Sequence, residues 1–142
     1  MERPWLLICV TVIGVVAVFG TTRTPEINPY GPYRKEIGEI TINVFNMTKR
    51  MLQDYEEMRH NPNYKLRDYR PVAEHATLRL ADILKQVEAK EVKKTDKRYE
   101  ALKNATDAMM GSHDIGSLPI ETAEKRVCDL IMVIDYLRFA IV

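Results

Sequence analysis

Between Ile37 and Met58 the apolar side chains fall at Ile37, Ile40, Val44, Met47, Met51, Tyr55 and Met58, in steps of three and four residues. That rhythm, sustained over several turns, is the signature of an amphipathic helix and is incompatible with a strand. The spacing predicts a first helix from about Pro32 to His60, broken by Asn61-Pro62-Asn63. A second stripe, Val72, Ala76, Leu80, Ile83, Leu84 and Val87, opens near Pro71, a residue suited to a first helical turn. It fades at Glu91 and the polar run Lys93-Lys94-Thr95-Asp96, where a break is expected, with Thr95 as a cap. One long helix through 71–110 is the alternative.

A third face carries Tyr99, Leu102, Thr106 and Met109 and stops at Gly111. A fourth opens after Ser117-Leu118-Pro119, with Ala123, Val127, Leu130, Ile131, Ile134, Leu137 and Ile141 as its stripe. No segment alternates as a half-buried strand does. Four amphipathic helices on short connections can bury their stripes only against one another. The expected fold is all-α: a four-helix bundle or related small helical domain over residues 34–142.

Residues 1–33 read differently. Trp5 to Phe19 is an uncharged run that ends beside the small residue Gly20. It is shorter than the roughly 20 apolar residues a bilayer span needs. Residues 1–20 are therefore expected to be a signal peptide cleaved after Gly20, with an uncleaved anchor as the alternative. Residues 21–33, TTRTPEINPYGPY, are expected to form an extended arm. A secreted, extracellular location follows from this reading. Cys9 leaves with the signal peptide, so the mature domain would keep Cys128 alone and hold no internal disulfide.

Charge argues against whole classes of partner. The formal net charge is +1, and 29% of residues are charged with both signs interspersed, so no basic surface for nucleic acid is expected. Two tripeptides, Asn46-Met47-Thr48 and Asn104-Ala105-Thr106, match the N-glycosylation sequon. Both asparagines lie about 150° from the apolar stripe of their helix, as a glycoprotein requires.

Catalytic and metal signatures are weak. Glu57 and His60 have the Glu-x-x-His spacing of carboxylate-bridged metal sites, but such sites need a second copy and further carboxylates. His75 falls off the apolar face of its helix. Ser112-His113-Asp114 places three catalytic residue types in sequence, which is no evidence of a triad in space. The pairs Lys49-Arg50, Lys97-Arg98 and Lys125-Arg126 fall inside predicted helices and read as solvated faces. No enzyme activity, cofactor or metal is expected.

The fourth helix carries the most informative surface. Beyond its core stripe, Cys128, Met132 and Phe139 form a second apolar stripe, bordered by Tyr136 and Val142. Either the helix is central and nearly surrounded, with Cys128 buried, or this stripe meets another molecule. The leading expectation is a secreted, non-enzymatic helical protein that binds a protein partner or a second copy of itself through this face. Other readings are a membrane-anchored helical subunit and an extracellular carrier of a small hydrophobic ligand. A carrier would use Met47, Met51, Met58, Met109 and Met132 as an adaptable lining, and would need an enclosed apolar void of about 300 Å³ or more.

Overall fold

A computed structural model describes residues 28–142. The signal-peptide reading of residues 1–20 and the arm reading of residues 21–27 lie outside the described residues. Four helices account for the body: α1 (Arg34–His60), α2 (Arg70–Ala89), α3 (Lys97–Met110) and α4 (Ile120–Ile141). No strand occurs among the described residues. The polar run after Val87 does separate two helices. Asp96, not Thr95, caps α3, its carboxylate accepting the Arg98 N–H at 2.8 Å. In the α2–α3 connection Glu91 takes a left-handed backbone, φ 57°. Gly111 ends α3 with an ordinary φ of −77°.

The helices form a ring in which α1 packs on α2 and α4, and α3 packs on the same two. Cross-helix contacts show that each neighbouring pair is antiparallel. Arg79, in mid-α2, reaches back to Glu36 and Glu39 at the start of α1. Tyr99 at the start of α3 donates to Glu88 at the end of α2 (2.7 Å). Arg126 near the start of α4 donates to the Gly111 carbonyl after α3 (2.5 Å). The ring closes at both ends: Arg34 donates to the Val142 carbonyl (2.9 Å), and Arg59 pairs with Glu124.

Burial follows the helical phase read from the sequence, with local shifts. Ile37, Ile40, Val44, Leu80, Ile83, Leu102, Met109, Val127, Ile134 and Leu137 are at most 1% exposed. Each such aliphatic side chain contributes about 1.5–3 kcal/mol through burial. On α2 the expected role of Val72 falls to Ala73: Val72 is 41% exposed, because the buried face also takes in Thr77 and so lies further round the helix. Ile131 is only partly buried. The reading of α4 as a surrounded helix does not hold among the described residues, where α1 and α3 are the helices that pack on it and Met132 is 70% exposed.

Residues 28–33 do not form an extended arm. Asn28 turns the chain, its side chain accepting the Tyr30 N–H at 3.0 Å, and Gly31–Tyr33 make one tight 3₁₀ turn into α1. Tyr30 is 0% exposed, under the Arg98 guanidinium at 4.7 Å. Its hydroxyl has no hydrogen-bond partner, as is also true of Tyr55. An orphaned buried hydroxyl costs about 1–3 kcal/mol. Tyr30→Phe should therefore preserve the fold and raise its stability by about 1 kcal/mol, read from urea denaturation. Burial, with help from Asp96 and Tyr99 and against the opposing charge of Arg98, pushes the Tyr30 phenol up to about 12. Stability should thus fall as pH rises from about 10, where the unfolded phenol ionises, through 12, and the Phe variant should lose less over that window.

Candidate functional site

Two features beyond the core set what this body can do: the outer face of α4 and a cleft at the loop end of the bundle. On α4 the core positions Ala123, Val127, Leu130, Ile134, Leu137 and Ile141 face the ring. Cys128, Met132, Asp135 and Phe139 lie on the opposite side, about 120–180° away by helical phase. Met132 is 70% exposed, and Phe139, Tyr136 and Val142 are exposed as well. Cys128 is a free, exposed thiol, which overturns the reading of a buried cysteine. The cause is phase: among the described helices α1 and α3 pack on the flanks of α4, and Met132 points away from both.

The cleft lies at the opposite end from Tyr30, between the α1–α2 connection and the α3–α4 connection. Its volume is about 520 Å³, and it opens to solvent on one side. Met47 and Met51 of α1, Ala73 of α2, and Leu66 and Ile115 from the two connections supply apolar walls. Leu66 reaches across to Gly116, where an added Cβ would sit 3.4 Å from Leu66 Cδ2. His113 ties the far side. Thr77 gives its single hydroxyl proton to the Ala73 carbonyl (2.6 Å), so at 3.2 Å it must accept from His113 Nε2–H.

The cleft's polar rim is built on Asp54, which the sequence reading missed. Asp54 sits on the core side of α1 and is 1% exposed. Its carboxylate accepts from Tyr69 Oη (2.6 Å), Tyr64 Oη (2.8 Å), Arg67 Nη2 (2.7 Å) and Arg67 Nε (3.1 Å). Burial alone would raise its pKa. The hydrogen bonds from Arg67, Tyr69 and Tyr64 outweigh burial and hold the carboxyl well below the usual range. Asp54 thereby fixes the Asn61–Tyr69 connection that walls the cleft. Arg70 stands beside it, held by Asp68 at Nε (3.0 Å) and Nη2 (3.1 Å). The signal was present in the sequence: Asp54 interrupts the stripe between Met51 and Tyr55, and a carboxylate on a core face needs partners.

The other sequence candidates fall apart in space. His60 bonds to Glu56 (3.1 Å) rather than Glu57, and no metal-holding cluster exists among the described residues. His75 is exposed. Ser112 donates to the Met109 carbonyl (2.7 Å) while His113 is engaged with Thr77, so Ser112-His113-Asp114 is a turn with no nucleophile–base pair in it. Asn46 and Asn104 are exposed, as expected. Their sequon threonines are not: Thr48 and Thr106 are buried and donate to the carbonyls of Phe45 and Leu102. A helix sets residues i and i+2 about 200° apart, so each sequon is split between surface and core. Of the methionines expected to line a cavity, Met47 and Met51 do so, whereas Met109 is in the core and Met132 is on the α4 face. No described helix is long and apolar enough to cross a membrane. No protein-family model, no curated protein and no solved structure matches the chain.

Proposed function

We propose that this is a non-enzymatic, secreted helical protein that acts by binding a protein partner through the outer face of α4. The observation that carries the reading is Met132, 70% exposed on a helix whose core face is already complete. With Cys128 and Tyr136 beside it, it offers apolar area that a bundle helix does not need for its own stability. The fitting partner presents an apolar helix or strand face of its own. Asp135, within the stripe, pairs only distantly with Arg138 (3.7 Å) and is a charge the partner must meet or leave at the rim.

A photo-crosslinker at position 132, compared with one at His75 on the exposed side of α2, tests this in the secreting host. The expected result is one discrete adduct from position 132 and none from position 75. A second copy of this chain as the adduct would define the partner as itself. Equal labelling from both positions, or none from 132, overturns the reading.

A second reading, an extracellular carrier of a small hydrophobic ligand, is favoured by the loop-end cleft. Its volume of about 520 Å³ is within the range of small-molecule sites, about 300–1,000 Å³. It departs from the enclosed void expected of a carrier in being open on one side and polar along its rim.

A further inference from the structure

We infer that the loop-end cleft takes a small amphipathic carboxylate, with its chain against Met47, Met51, Leu66 and Ile115 and its carboxylate on Arg70. The inference rests on the carrier reading and adds the chemistry of the ligand's polar end. The walls named are apolar and belong to three separate parts of the chain, so an alkyl chain entering between them loses water on several sides. The rim decides what the other end must be. Asp68 accepts three hydrogen bonds from Arg70, one from its backbone and two from its side chain, and Asp54 is spent on Arg67 and two tyrosines; Asp114 stands apart, 3.7 Å from Arg126. Both cleft arginines use their Nε and Nη2 toward an aspartate. A guanidinium has five N–H donors, and the Nη1 edge of each takes no part in those pairs. The two aspartates beside the arginines are thus engaged, whereas the arginines keep donor capacity on planar groups that are held in place. A carboxylate fits such an edge in geometry and charge; an ammonium does not. Arg70 is the more exposed of the pair, its side chain being 71% exposed against 54% for Arg67.

The test uses the full-length protein carrying ¹³C-methyl methionine, titrated with decanoate, decanol or decylammonium. Decanoate should shift the Met47 and Met51 methyl signals and leave those of Met110 and Met132 in place. Calorimetry should show decanoate binding about tenfold tighter than decanol, as a charge-assisted hydrogen bond warrants. Arg70→Gln should erase that preference without moving the melting temperature, because Arg70 pairs only with its exposed neighbour Asp68. Equal binding of decanol and decanoate at Met47 and Met51 leaves the carrier reading standing and overturns the carboxylate, as does tighter binding of decylammonium. No shift at Met47 or Met51 with any of the three overturns both.

Discussion

Replacing Asp54 by alanine should lower the unfolding free energy by about 3 kcal/mol. The variant removes one buried carboxylate and strands the donors gathered on it: the Tyr64 and Tyr69 hydroxyls and the Arg67 side chain. Because those donors belong to the connection and not to the helices, loosening should begin there. Amide exchange across residues 61–69 should rise more than exchange in α3. The loss also carries a sign in pH. Asp54 titrates lower in the folded chain than in the unfolded one, despite its burial, because Arg67, Tyr69 and Tyr64 donate to it. Its stabilisation is therefore complete above about pH 5 and fades as pH falls below about 4, where the unfolded aspartate binds its proton first. The gap between wild type and Asp54→Asn in urea melts should narrow from pH 7 to pH 3. A gap that stays constant over that range would show that the charge of Asp54 contributes nothing.

Ile134→Ala should cost about 2–5 kcal/mol, the range for emptying a fully buried aliphatic site. Ile134 is 0% exposed on α4, the helix that packs against both α1 and α3, so a cavity there weakens two helix contacts at once. His75→Ala, on the exposed side of α2, should stay within about 0.5 kcal/mol. Midpoints of chemical denaturation compare the two directly, and equal shifts would refute the packing described for α4.

Helix positions were readable because a 3.6-residue rhythm survives in the sequence wherever one side of a helix is buried. Ile37 through Tyr55 show it, and so do Ala123 through Ile141 with Ile131 as the one position that is only partly buried. What periodicity does not encode is where a helix sits in the ring. The second stripe of α4 was visible, but whether a neighbour covered it depends on the packing of α1 and α3. The cap at Asp96 was missed in favour of Thr95 because the two adjacent residues are both good caps and only the backbone geometry chooses between them. The cleft was illegible for a deeper reason. Its walls come from positions as far apart as Met47 and Ser117, and its rim hangs on one carboxylate inside an otherwise apolar stripe. The tie from His113 to Thr77 spans 36 positions, with no local pattern to announce it.

The bond from Arg34 to the Val142 carbonyl has a practical consequence. It brings the start of α1 and Val142 to one pole, so the molecule has a handle end and a mouth end. Met47 and Met51, the cleft's wall on α1, lie about 20–26 Å from Arg34 at 1.5 Å per residue. A fluorophore, surface tether or fusion partner joined after Val142 therefore lies about 20 Å or more along the bundle from the cleft. It sits only one helical turn beyond Phe139 on the α4 face. Immobilising the protein through a tether placed after Val142 is thus suited to measuring small ligands, and will handicap any assay of a partner that docks on α4.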